Sequence, residues 1–142
     1  MQRRADDRKL ASRRAVAVRV WRWLAGLIRS FGFALAGLGW MLRTQRNAQI
    51  HVAITCAVII AGFALRVSQG EWLALILSVA LILALEALNT AVEAVVDLVS
   101  PQPHPLAKRA KDVAAGAVLL GAIGVALVGV IVFLPKFLAL VL

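Results

Sequence analysis

Acidic side chains are scarce in this chain, so their positions indicate where chemistry can take place. Beyond Arg8 only five are present: Glu71, Glu86, Glu93, Asp97 and Asp112. Three of these lie on one apolar stretch that is rich in strong helix formers. At about 100° per residue, Glu93 returns to within about 20° of Glu86, and Asn89 lies about 60° from that line. Carboxylates on one helix face suit a general base, a metal ligand or a proton relay.

Glu86 is the residue of this polar face whose burial costs the most free energy. An ionisable group well inside a membrane span is unfavourable by roughly 2.5–3.5 kcal/mol on insertion scales. Glu86 and Glu93 are separated by roughly 10 Å along the helix axis, so both can serve one site without binding one ion from equivalent positions. Two interpretations stay open: the face is a functional site, or Glu86 specifies helix packing and Glu93 and Asp97 form a solvated helix end.

The elements that must position this face are membrane helices. The 142 residues are 62% hydrophobic, with a mean hydropathy of +0.88, against roughly 45–50% apolar residues in a soluble domain. The length allows about one domain, so a separate soluble catalytic domain does not fit. The lone cysteine, Cys56, excludes an intrachain disulfide.

Three apolar runs are long enough to predict spanning helices. We expect them at 48–65, at 72–99 and at 113–134. The short polar turn from Arg66 to Glu71 makes the first two an antiparallel hairpin. Pro101, Pro103 and Pro105 are expected to stop the second helix, and Pro135 the third. Four glycines of the third helix are expected to permit close helix packing: Gly116, Gly121, Gly124 and Gly129.

The N-terminal region is predicted to stay outside the bilayer core. Residues 1–14 are polar and basic, and no fold is expected for them. Residues 15–42 predict an amphipathic helix on the membrane surface, because arginines interrupt the apolar sequence and tryptophans favour the head-group level. A cleaved signal peptide is disfavoured, since Arg19 and Arg22 break the apolar region.

Nine of the sixteen Lys and Arg residues lie between Arg3 and Arg29. A basic arm of this kind binds nucleic acid or anionic phospholipid, and the adjoining apolar helices favour phospholipid and no nucleic acid. Basic residues also follow the second span at Lys108, Arg109 and Lys111. The positive-inside rule therefore predicts a multi-pass protein of the bacterial plasma membrane, with its N-terminus and polar site on the cytoplasmic side.

Two familiar kinds of site are not predicted. The chain contains no GxxxxGK[ST] sequence, so a phosphate cradle of the P-loop type is excluded. His51 and His104 have no metal-ligand partner at a useful spacing, so we expect them in loops or at interfaces and not in a zinc site.

Three segments resemble the prokaryotic diacylglycerol kinase family, which includes the undecaprenol kinases. They are FALAGLGWMLRTQRNAQIH at 33–51, EALNTAVEAVVD at 86–97 and HPLAKRAKDVAAGAVL at 104–119. The resemblance covers roughly residues 30–134. It implies a lipid kinase domain at 30–142, preceded by a basic extension and the start of the surface helix at 1–29.

The resemblance implies an all-α homotrimer whose subunits have three spans and a surface helix. It also implies transfer of the γ-phosphoryl group of MgATP to the hydroxyl of diacylglycerol or undecaprenol. Glu86 would be the general base, and Asn89 would position polar groups beside it. Glu93 would bind Mg²⁺. On the nucleotide side the implied residues are Asp97, Lys111 and Asp112.

The chain departs from the family at Gln45, where the family places an acidic metal ligand before Arg-Asn. An amide offers oxygen but no charge, so weaker metal binding is expected. The alternative function is a small proton-coupled transporter or channel subunit in which Glu86 carries the proton. That function would leave Lys111 and Asp112 without a role. A membrane adaptor is a further alternative, and it would leave the polar face of the second span without a role.

Overall fold

The computed structural model describes the backbone of Gln2–Leu142 and the side chains from Arg19 onward. This part of the chain forms four α-helices: α1 (Gln2–Thr44), α2 (Arg46–Ala64), α3 (Gln69–Val99) and α4 (Pro105–Val141). The chain divides into two compact units, and the boundary lies between Trp40 and Met41. The polar face predicted on the second span belongs to the second unit. The all-α class is therefore confirmed.

By length and composition, all four helices are able to cross a membrane. In α1 the stretch that is able to cross lies within Arg19–Thr44. The expected arrangement of one surface helix and three spans therefore stays a prediction for α1. Residues 1–14 are expected to have no fold. This expectation is wrong from Gln2 onward, because α1 begins there. Met1 lies outside the described residues. Five of residues 1–14 are arginine and two are alanine, and both are strong helix formers.

The connection between α2 and α3 is a tight reversal. Arg66 adopts a left-handed backbone conformation, with φ of 52°. The Arg66 N–H donates to the Phe63 carbonyl, and the Val67 N–H to the Gly62 carbonyl at 3.0 Å. These bonds form the Schellman motif, which satisfies the last carbonyls of a helix. The predicted hairpin turn is thus a helix cap followed at once by the next helix.

A capping box begins α3 and also links it to α4. Ser68 Oγ accepts a hydrogen bond from the Glu71 N–H, and the Ser68 N–H donates to Glu71 Oε2 at 2.7 Å. The same Glu71 oxygen lies 3.0 Å from Lys136 Nζ. Glu71 therefore caps α3 and pairs with a cation of α4.

The proline-rich loop ends α3 at Val99, as predicted, and α4 begins at Pro105. Proline is suited to the first helical position because its missing N–H would have no partner there. His104 Nδ1 accepts a hydrogen bond from the Leu106 N–H and caps α4. The expected end of the third helix at Pro135 is wrong: α4 continues to Val141. The good helix formers Lys136, Leu138, Ala139 and Leu140 follow Pro135, and proline removes only one backbone donor from the helix.

The central helix of the second unit is α3, which contacts both α2 and α4. At the end near the α2–α3 turn, a small core contains Val67, Leu75 and Val132. Further along α3 the polar side chains lie against the beginning of α4, so the two helices are antiparallel. Most large apolar side chains of this unit are exposed, among them Leu98 and Ile131. Such a surface requires lipid or further copies of the chain around it.

Close packing through glycine occurs at two positions. A Cβ at Gly121 would lie 2.5 Å from Leu85 Cδ1, and a Cβ at Gly62 would lie 2.6 Å from the Trp72 indole. The packing role expected for all four α4 glycines is therefore confirmed within the chain only at Gly121. The others have nothing within 4 Å of that position among the described residues: Gly116, Gly124 and Gly129.

We predict that Gly62→Ala destabilises the protein by about 1–2 kcal/mol, because the rigid Trp72 ring must move to admit the methyl group. The measurement is unfolding of the purified protein in mixed micelles by increasing sodium dodecyl sulfate. Gly70→Ala is the matched control, since a Cβ there meets nothing within 4 Å. Equal stability of the two variants would contradict the close approach of α2 and α3.

Candidate active site

A polar cleft opens where α3 lies between α2 and α4. Its volume is about 270 Å³. Glu86, Asn89 and Glu93 project into it from α3 because their spacing brings them to one side of that helix. The full lining is Asn47, His51, Glu86, Asn89, Glu93, Ala115, Val118, Leu119 and Ala122. The polar face predicted from sequence is therefore a concave site.

Glu86 is the most thoroughly buried large side chain among the described residues, with 1% of its surface exposed. Its Oε2 atom has no hydrogen-bond partner. Thr90, also buried, donates to the Glu86 backbone carbonyl at 2.8 Å and not to this oxygen. A buried acceptor without a donor is costly, so the carboxylate is suited to a group that enters the cleft with a proton.

Asn89 contacts the second carboxylate of the cleft, that of Glu93. Its Nδ2 donates to Glu93 Oε1 at 3.1 Å. Its Oδ1 is buried and has no partner. The amide therefore fixes one oxygen of Glu93 and presents an oxygen of its own. His51 and Glu93 both lie near enough to Glu86 to interact with it electrostatically.

A second, more open pocket of about 760 Å³ lies at the loop between α3 and α4. Asp97 near the end of α3 and Lys111 on α4 line it and form an ion pair, with 2.5 Å between Oδ1 and Nζ. Glu93 and Asp97 are one helical turn apart, or about 6 Å of rise. The two cavities therefore follow one another along α3.

The predicted site residues fall into three groups. Glu86, Asn89 and Glu93 share the cleft, and Asp97 and Lys111 share the open pocket. Asp112 is on α4 and pairs with Lys108 at 2.6 Å.

Gln45 stands apart from these groups. It is the residue before α2 and makes no side-chain capping hydrogen bond. It lines neither of these two cavities, so its proposed metal role rests on the resemblance alone.

Two residues of the cleft were missed from the sequence. Asn47 and His51 lie one turn apart near the start of α2 and line the cleft together. His51 lies within α2 and not in a loop. His104 ends the loop before α4 as its cap, in line with the expected loop position. The i, i+4 spacing of Asn47 and His51 was a usable signal, because it places both on one helix face.

Among side chains from Arg19 onward, no group of three or more His, Cys, Asp or Glu residues could hold a metal ion. The cleft offers the Glu93 carboxylate and the partnerless oxygen of Asn89. A hard cation such as Mg²⁺ is commonly held by one or two carboxylates together with substrate phosphates. The donors present fit an ion that is shared with a phosphorylated ligand.

Comparison with known proteins gives consistent matches. A family model described as prokaryotic diacylglycerol kinase matches residues 32–133. An undecaprenol kinase from Bacillus subtilis (strain 168) is 46% identical over 108 residues, covering 76% of this chain and 88% of that protein. A diacylglycerol kinase from Synechocystis is 42% identical over 133 residues, covering 93% and 76%. A diacylglycerol kinase from Escherichia coli (strain K12) is 38% identical over 99 residues, covering 68% and 80%.

We predict that the Asp97–Lys111 pair contributes little to folding. Asp97→Asn should lower the free energy of unfolding by less than about 1 kcal/mol, because both partners are partly exposed. Ile82→Ala, a buried position on the same helix, should cost about 2–4 kcal/mol. Unfolding in mixed micelles measures both. A cost at Asp97 as large as that at Ile82 would show that the pair is mainly structural.

Proposed function

The chain belongs to the prokaryotic diacylglycerol kinase family, and we propose that it phosphorylates diacylglycerol or undecaprenol in the cleft around Glu86. It is a lipid kinase, a phosphotransferase that uses ATP and an alcohol acceptor. The relatives give no support to the transporter alternative. One observation carries the proposed site: a buried carboxylate oxygen of Glu86 has no partner and lines a cleft with Asn89 and Glu93.

Glu86 acts as the general base in this proposal. The lipid hydroxyl donates its proton to Oε2 of Glu86 as its oxygen bonds to the γ-phosphorus of ATP. The bond between that phosphorus and the oxygen bridging to the β-phosphorus breaks, and ADP leaves. Burial excludes water, which would otherwise compete with the lipid for the phosphoryl group. The partnerless oxygen is the acceptor that this step requires.

Asn89 and Glu93 position the phosphates in this proposal. The hydrogen bond from Asn89 to Glu93 holds one carboxylate oxygen and leaves the other available. When bound there, Mg²⁺ would neutralise phosphate charge during transfer. Asn47, across the cleft on α2, offers another amide to the same ligands.

The nucleotide is proposed to occupy the open pocket beyond Glu93. Lys111 supplies positive charge to the phosphates, and Asp97 holds its ammonium group in place. The proline-rich loop lines the pocket with a backbone of restricted freedom. A nucleotide placed there reaches toward Glu93 along α3.

The wider arrangement in the membrane is part of the same proposal. The basic residues near the start of α4 favour a cytoplasmic site, and the basic arm favours contact with anionic phospholipid. Three spans, a surface helix formed by the apolar part of α1, and assembly as a homotrimer follow the family resemblance. The exposed apolar side chains of α2–α4 supply surfaces for lipid and for other subunits.

Phosphotransfer with purified protein tests the function and its acceptor. The protein is incubated with MgATP and with diacylglycerol, undecaprenol or no lipid, and lipid phosphate and ADP are measured. We expect equal amounts of the two products, formed only when an acceptor is present. ATP hydrolysis without lipid phosphorylation would contradict the proposed function.

We predict that Glu86→Gln lowers turnover by about 10²-fold or more, because the amide cannot accept the hydroxyl proton. Nucleotide affinity and the free energy of unfolding should stay near their wild-type values, since the amide fills the same space. Glu71→Gln, at the other end of α3, is the matched control and should retain most activity. Wild-type turnover in Glu86→Gln would exclude this residue as the base.

We predict that charge at position 45 controls the requirement for Mg²⁺. Gln45→Glu should lower the Mg²⁺ concentration for half-maximal activity, because a second carboxylate would share the ion. Glu93→Gln should nearly abolish metal-dependent turnover. The measurement is a Mg²⁺ titration at fixed ATP in wild type and both variants. An unchanged midpoint in Gln45→Glu would place this residue away from the metal.

A further inference from the structure

We propose that Lys108 is a second phosphate-binding cation of the nucleotide pocket, a role that rests on the proposed function. Lys108 and Lys111 lie three residues apart on α4, and both line the open pocket. Residues at this spacing lie on neighbouring parts of one helix face. The pocket therefore presents two ammonium groups in succession to a ligand that lies along α4.

The two lysines differ in how firmly they are held. Lys111 is 35% exposed and pairs with Asp97 of a different helix. The Lys108 side chain is 78% exposed and pairs with Asp112 of its own helix. An exposed pair of this kind is weak, whereas a charge-assisted hydrogen bond to phosphate is strong. Lys108 is thus the cation that can move toward a nucleotide at little cost.

Asp112 need not release Lys108 when a nucleotide binds. An ammonium group has three hydrogen-bond donors, and the contact with Asp112 at 2.6 Å uses one of them. The other two can reach phosphate oxygens while the carboxylate keeps the side chain near the pocket. This gives Asp112 a positioning role on the nucleotide side, exerted through Lys108.

The charge balance of the pocket also requires another cation. The triphosphate of ATP has several negative charges that phosphoryl transfer enzymes offset with cations, and the single charge of Lys111 is also shared with Asp97. The first turn of α4 adds partial positive charge from its backbone N–H groups. Lys108 lies in that first turn, so its charge adds to the same field.

The test compares Lys108→Met, Lys108→Arg and Arg109→Met in lipid kinase assays and in direct binding of trinitrophenyl-ATP, a fluorescent nucleotide. Lys108→Met should raise the KM for MgATP and the Kd for the fluorescent nucleotide by about tenfold. The KM for the lipid should stay unchanged. Lys108→Arg should restore most of the nucleotide affinity, because it returns the positive charge.

Arg109→Met is the control for general loss of charge, because Arg109 is the adjacent cation and does not line the pocket. It should leave both nucleotide constants near wild type. Wild-type nucleotide affinity in Lys108→Met would overturn the proposal, as would an equal loss in Arg109→Met. A wild-type protein that forms no lipid phosphate would overturn the proposed function instead, whatever the result at position 108.

Discussion

The structure depends on one unfavourable placement, a carboxylate enclosed by membrane helices. The cost of burying Glu86 must be offset by the helices that surround it and by what enters the cleft. Thr90 satisfies the backbone beside it, but the carboxylate oxygen Oε2 stays without a partner. Proteins retain such groups where function uses them, because an apolar residue of similar size would be more stable.

The second constraint is that α3 must hold this carboxylate in register with both neighbouring helices. The helix is bound to α4 at each end, by Glu71 and Lys136 and by Asp97 and Lys111. Between the two ion pairs, Gly121 allows α4 to approach Leu85 closely, next to Glu86 in sequence. The Glu71–Lys136 pair and the close packing at Gly121 fix the rotation of α3. That rotation decides which residues face the cleft.

Much of this arrangement follows from residue types and spacing. The polar face of α3 was predictable because Glu86, Asn89 and Glu93 repeat with the helical period. The end of α3 was predictable because prolines follow it. Asn47 and His51 were not assigned to the site, because which face of α2 meets α3 depends on packing. The continuation of α4 through Pro135 was missed because proline was taken as a helix end, whereas good helix formers follow it.

In the proposed membrane arrangement, the two ion pairs of the α3–α4 hairpin would make the protein sensitive to bilayer thickness. Glu71 and Asp97 are separated by about 39 Å along a straight helix, close to the roughly 40–45 Å of a bilayer with its head groups. In the proposed arrangement each pair lies at one interface, and Glu86 lies about 16 Å below Asp97. A thinner or thicker membrane must deform around this fixed length or draw one pair into hydrocarbon. Hydrophobic mismatch would therefore change how far an acceptor hydroxyl must travel from the interface to reach the carboxylate.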